Sequence, residues 1–135
     1  MHQLFNQTNN LYDFEPMLLE VIPKIETLLK IEKKHFAVIL TDDEFIKNIN
    51  NGYRNKNYAT DVLSFPENDG DDLGEIYISV ETAMRQAVDF EVSIEDEIKR
   101  LIVHGILHLM GFDHERSPED EVIMNEREEF VLGRI

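Results

Sequence analysis

The chain contains no cysteine, so neither a disulfide framework nor a thiolate metal site is available to it. Histidine and carboxylate are then the only strong metal ligands. Long apolar runs are also missing: nothing approaches the ~20 consecutive apolar residues needed to span a bilayer. The opening MHQLFNQTNN lacks the basic start and apolar stretch of a signal peptide, so the expected location is the cytoplasm. Internal repeats and low-complexity linkers are absent as well, and 135 residues suffice for one self-supporting core, so residues 1–135 are expected to form a single domain.

Positive charge is scarce. Thirteen Lys and Arg face 28 Asp and Glu, for a formal net charge of −15. The imbalance is uneven, with seven basic against ten acidic residues in 1–67 and six against eighteen in 68–135. Such acidity disfavours indiscriminate binding to nucleic acid or anionic membranes. A nucleic-acid substrate then requires a local basic patch that outweighs a distant acidic face.

What is present reads as alternating short elements. His2 to Asn6 suits a short strand. Between Phe14 and Ile31, Met17, Leu18, Val21, Ile22, Ile25, Leu28 and Leu29 recur at helical steps, with Pro23 predicting a kink or break. Phe36 to Leu40 suits a buried strand. Thr41 is expected to cap a short helix, with Glu44 completing a capping box and Asn50, Asn51 and Gly52 ending it. Asp61 to Pro66 and Gly74 to Ser79 read as strands joined by a solvated loop, ENDGDD. Ser79 is placed to cap a helix through Asp89, with Glu81 and Arg85 paired at i,i+4. Ser93 is placed to cap the next, apolar nearly all round from Ile98 to Met110 and therefore the buried central helix. Gly111 should stop it, and Ser117-Pro118 should open a last helix. The expected class is α+β, with one small mixed four-stranded sheet packed against about five helices.

Chemistry concentrates in H-G-I-L-H-L-M-G-F-D-H, from His104 to His114, which holds three of the five histidines. His104 and His108, four apart on a helix, stack on one face and reach a common point. Gly111 can turn the chain back, and His114 can close a third corner. Three neutral nitrogens at ~2.0–2.1 Å and an open fourth position describe a catalytic zinc site. A core imidazole satisfied by hydrogen bonds is the plainer account of either helical histidine taken alone. Three at this spacing, with a glycine in the turn, favour a metal. The histidines and glycine match the spacing of metzincin peptidases, but Gly105 stands where that pattern has its general-base glutamate. Asp113 reads equally as an orienting partner of a histidine or as a shaper of the turn. Glu115 adjoins the motif, while His2 and His35 are isolated and read as structural.

A second stretch, Asn51 to Pro66, sets Arg54 and Lys56 between Tyr53 and Tyr58. Close-set cations suit a phosphodiester, and tyrosines can stack on bases. An ordinary exposed loop would look the same.

Taken together, N-x-x-Y-R ending at Arg54, T-D-V-L-S-F-P ending at Pro66, L-G-E-I at Leu73 to Ile76, and the histidine motif resemble the YbeY family of bacterial ribosomal-RNA maturation factors. These are single-strand-preferring endoribonucleases. The resemblance spans roughly residues 36 to 115, with Phe112 where the family often has tyrosine and Glu75 where it often has aspartate. It implies one zinc at His104, His108 and His114 and a catalytic role for Arg54. It also implies an RNA substrate in small-subunit ribosomal RNA processing and quality control, and partners in the small ribosomal subunit or its assembly proteins, with neither membrane nor DNA. Lys56 and Arg116 are the further candidate substrate contacts. The competing expectations are a zinc hydrolase of another substrate class and a non-catalytic ribosome-assembly factor with a structural zinc.

Overall fold

The computed structural model describes residues 2–8, 14–113 and 115–135. Within the described residues, four strands and five helices follow one another as β1 (His2–Asn6), α1 (Glu15–Leu29), β2 (His35–Thr41), α2 (Asp43–Arg54), β3 (Val62–Asp69), β4 (Asp72–Ser79), α3 (Val80–Asp89), α4 (Ile94–Leu109) and α5 (Pro118–Leu132). The sheet runs β1-β2-β4-β3. β1, β2 and β4 are parallel, and β3 returns antiparallel along the outer side of β4. This is the α+β mixed sheet expected from the sequence. No described helix is long and apolar enough to cross a membrane.

Alternation along the strands gives the sheet two unlike faces. Val38, Leu40, Ile76 and Ile78 are all fully or almost fully buried on the face that receives α4. Helix α4 contributes Ile98, Leu101, Ile102, Val103, Ile106 and Leu107, each 0% exposed, and packs against β3, β4, α3 and α5. The opposite face carries Glu75, Tyr77 and Phe65, partly covered by α2 through ring contacts of Phe45 and Tyr53.

Local signals explain most boundaries. Ser79, Ser93 and Ser117 accept hydrogen bonds from the amides of Thr82, Asp96 and Asp120 at 3.2, 3.0 and 3.1 Å, as expected of N-caps. Gly111 follows α4 at φ +98°, a region that a Cβ disfavours.

Five expectations need correction. Of the kink or break expected at Pro23, the break does not occur: helix α1 is continuous from Glu15 to Leu29. Pro23 has no N–H to offer the Leu19 carbonyl one turn back, but both residues are exposed, so water can satisfy that oxygen. Thr41 is not a cap: it still pairs with Ser79 in the sheet, and Asp42 takes the role, accepting from the Phe45 amide at 2.9 Å. Helix α2 continues past Gly52 to Arg54, and the left-handed residue that ends it is Asn55 at φ +54°. The ENDGDD loop shrinks to a tight turn at Gly70 and Asp71, because β3 and β4 go on pairing to Asp69 and Asp72 after an irregularity beyond Pro66. Arg85 pairs with Asp43 at 2.8 Å rather than with Glu81, whose carboxylate accepts from the Asp43 amide at 2.9 Å.

Candidate active site

Helix α4, strand β3 and the segments after α2 and α4 enclose a groove of roughly 840 Å³. It is lined by Arg54, Lys56, Arg100, His104, His108 and Arg116, with Asp61, Asp113 and Glu115 as the carboxylates. Five of the six residues expected from the sequence to act on substrate or metal therefore share one wall system. The sixth, His114, lies outside the described residues.

The histidine pair is built by the helix. His104 and His108 are one turn apart on α4, their rings 4.6 Å between centroids at 70°, and their Nε2 atoms 3.1 Å apart. Two ligands of a tetrahedral zinc at ~2.0–2.1 Å stand about 3.3 Å from each other, so this separation fits a shared ion. His104 Nδ1 donates to the carboxylate of Glu128 on α5, whose side chain is only 16% exposed. That contact fixes the tautomer: the proton sits on Nδ1, and the Nε2 lone pair faces the groove. Among the described residues no three His, Asp or Glu side chains converge on one metal position. The pair could supply two ligands to such an ion, and the sequence offers His114 as a third.

Glu128 is the residue of the candidate site that sequence reasoning missed. A signal existed: Met124, Glu128 and Val131 fall at i, i+4 and i+7 of α5, and Met124 and Val131 are both fully buried. A glutamate in the apolar row of a helix calls for a partner. Asp113 shapes the turn after α4, its carboxylate accepting from the Glu115 amide at 2.8 Å.

Gly105 has a packing reason to be glycine. A Cβ there would lie 2.8 Å from Ile76 Cγ2 on β4, so the position faces the sheet at closest approach. The carbonyl of Gly105 also accepts from the Ser64 hydroxyl at 3.3 Å. A glutamate at this site would be driven into the core rather than into the groove, which removes the metzincin general base from this scaffold.

Across the groove, Asn50 organises the basic segment. Its buried side-chain amide donates to the Tyr58 carbonyl at 3.0 Å, and its own carbonyl accepts from the Lys56 amide at 3.2 Å. Arg54 and Lys56 make no ion pair among the described residues. The other two cations are engaged. Arg100 binds the carboxylate of buried Glu97 through two nitrogens at 2.7 and 2.8 Å and lies 3.8 Å from Asp61. The Glu97 hydrogen bonds raise the Arg100 guanidinium above its ordinary value. Arg116 donates to the Gly111 carbonyl at 2.8 Å and sits 3.6 and 3.7 Å from Asp113 and Asp120. Its charge is offset locally, which weakens the expectation that it grips substrate.

A family sequence model described as Endoribonuclease YbeY matches residues 3–135. The chain belongs to the YbeY family. Among its relatives, the Endoribonuclease YbeY of Aquifex aeolicus is 44% identical over 113 residues, covering 79% of this chain and 74% of that one. That of Acholeplasma laidlawii is 42% identical over 126 residues, 90% of each. A Thermotoga maritima protein solved in solution superposes with a TM-score of 0.69 at 32% identity, over 98% of this chain and 90% of that one. The YbeY match extends well beyond residues 36 to 115, taking in β1, α1 and the α5 helix that carries Glu128.

Proposed function

We propose that this chain is a zinc-dependent endoribonuclease that prefers single strands and acts in small-subunit ribosomal RNA maturation and quality control. The enzyme class is that of the YbeY relatives, all named endoribonucleases. The observation that carries the metal reading is the pair of imidazole Nε2 atoms 3.1 Å apart in the groove that Arg54 and Lys56 also line.

His104, His108 and His114 would hold the ion. When bound, zinc supplies Lewis-acid polarisation of a phosphodiester oxygen and acidifies water. The protein's own part is positional and electrostatic. Glu128 keeps the His104 lone pair directed into the groove. The Arg54 guanidinium offsets negative charge as it builds on phosphorus, and Lys56 holds a neighbouring phosphate. With a net charge of −15, affinity for free RNA is weak, and docking on the small ribosomal subunit or its assembly proteins in the cytoplasm supplies the remainder.

The test compares zinc content and cleavage of a single-stranded RNA in wild type and His108→Ala purified identically. Loss of both stoichiometric zinc and cleavage is expected. Loss of zinc with cleavage retained would overturn the catalytic-metal reading in favour of an assembly factor with a structural ion.

A further inference from the structure

We infer that the aromatic surface beside the groove is a subsite for one unpaired base of the RNA strand, an inference that rests on the endoribonuclease reading. Four rings touch in series on the sheet face away from α4. Phe45 lies 5.9 Å from Tyr77, Tyr77 lies 5.7 Å from Phe65, and Phe65 lies 5.5 Å from Tyr53. They border a cleft of roughly 340 Å³. Tyr53, the outermost ring, is 79% exposed yet held edge-on against Phe65.

Two features join this cleft to the groove. Pro66 lines both, and Tyr53 immediately precedes Arg54 in the last turn of α2. A strand whose phosphate lies against Arg54 and Lys56 therefore has a neighbouring nucleotide within reach of the rings. Charge sorts the two halves of that nucleotide. Glu67 and Glu75 border the cleft, so phosphate is repelled from it while a neutral base is accepted. Glu75 is itself engaged, accepting from the Tyr77 hydroxyl at 2.5 Å. Burial and this carboxylate raise the Tyr77 phenol to about 12, so it stays neutral throughout the working range. A base inside a duplex has both faces covered and cannot enter, so the cleft selects single strands.

The chain has no tryptophan, so Tyr53→Trp installs a sole indole as reporter. Mixing with a short single-stranded RNA, read before turnover, is expected to quench its fluorescence saturably. An abasic sugar-phosphate oligomer of equal length and a duplex of the same sequence should quench far less. Tyr53→Ala should weaken binding of the single strand about 5- to 100-fold, with the far-ultraviolet dichroism and the salt dependence of binding unchanged. Equal quenching by the abasic chain, or none by an RNA that the wild type cleaves, overturns the subsite and leaves the rings to a protein partner. A wild type that neither binds nor cleaves RNA overturns the endoribonuclease reading and the subsite with it.

Discussion

His104 of α4 and Glu128 of α5 meet through a ring nitrogen and a carboxylate oxygen, 24 positions apart in the chain. A carboxylate on the far nitrogen of a liganding histidine fixes its orientation and raises its basicity, and loss of such a partner typically costs 10- to 100-fold in metal affinity. Glu128→Gln should therefore weaken zinc binding by about that factor, measured by competition with a chromophoric chelator. An unchanged dissociation constant would show that Glu128 serves only the helix interface.

Arg54 should matter to the reaction more than to binding. Arg54→Ala is expected to lower kcat by roughly 10²- to 10³-fold on a single-stranded RNA while KM changes little. A loss confined to KM would reduce Arg54 to an anchor for ground-state phosphate.

Gly105→Ala tests the close approach of α4 to the sheet. The added methyl meets the Ile76 side chain, 0% exposed and branched at Cβ, with little room to retreat. Destabilisation of about 1–3 kcal/mol is expected from urea denaturation. A neutral result would mean that the helix can shift, and the steric account of the missing glutamate would fall.

Asp43 gives an acid-dependent prediction. Partial burial pushes its carboxyl up, but hydrogen bonds from Ser79, Thr82 and Arg85 outweigh this and leave it below its ordinary 3.8. A carboxyl depressed in the folded state stabilises above its unfolded value and loses that stabilisation as pH falls through the folded one. Wild type should therefore exceed Asp43→Asn in denaturation midpoint at pH 6, with the gap closing below about pH 3.8. A gap independent of pH would assign the effect to hydrogen-bond geometry alone.

Features written in local chemistry were legible from the sequence. The three serine caps, the glycine after α4 and the apolar circumference of that helix each follow from a few adjacent residues. The histidine pair was legible for the same reason, since i,i+4 spacing fixes a shared face. What escaped depended on distant partners. Gly52 looked like a helix end until Asn55 took the left-handed position, with its amide and that of Lys56 on the Asn50 carbonyl. Arg85 looked like a mate for Glu81 until α2 delivered Asp43. Glu128 sits in the charged run from Glu126 to Glu129, where only its helical spacing to Met124 and Val131 marks it out, and its partner lies on another helix.

The strand order has a dynamic consequence. The groove lies along β3, while β1 occupies the opposite edge, separated from it by β2 and β4. β3 and β4 form a hairpin of short-range contacts, whereas β1 is held by pairing residues 2–6 with residues 36–40. Fraying can therefore begin at β1 without disturbing His104 and His108, and amide hydrogens of β1 should exchange with solvent well before those of β4. The molecule can breathe at one margin while the reactive margin stays closed.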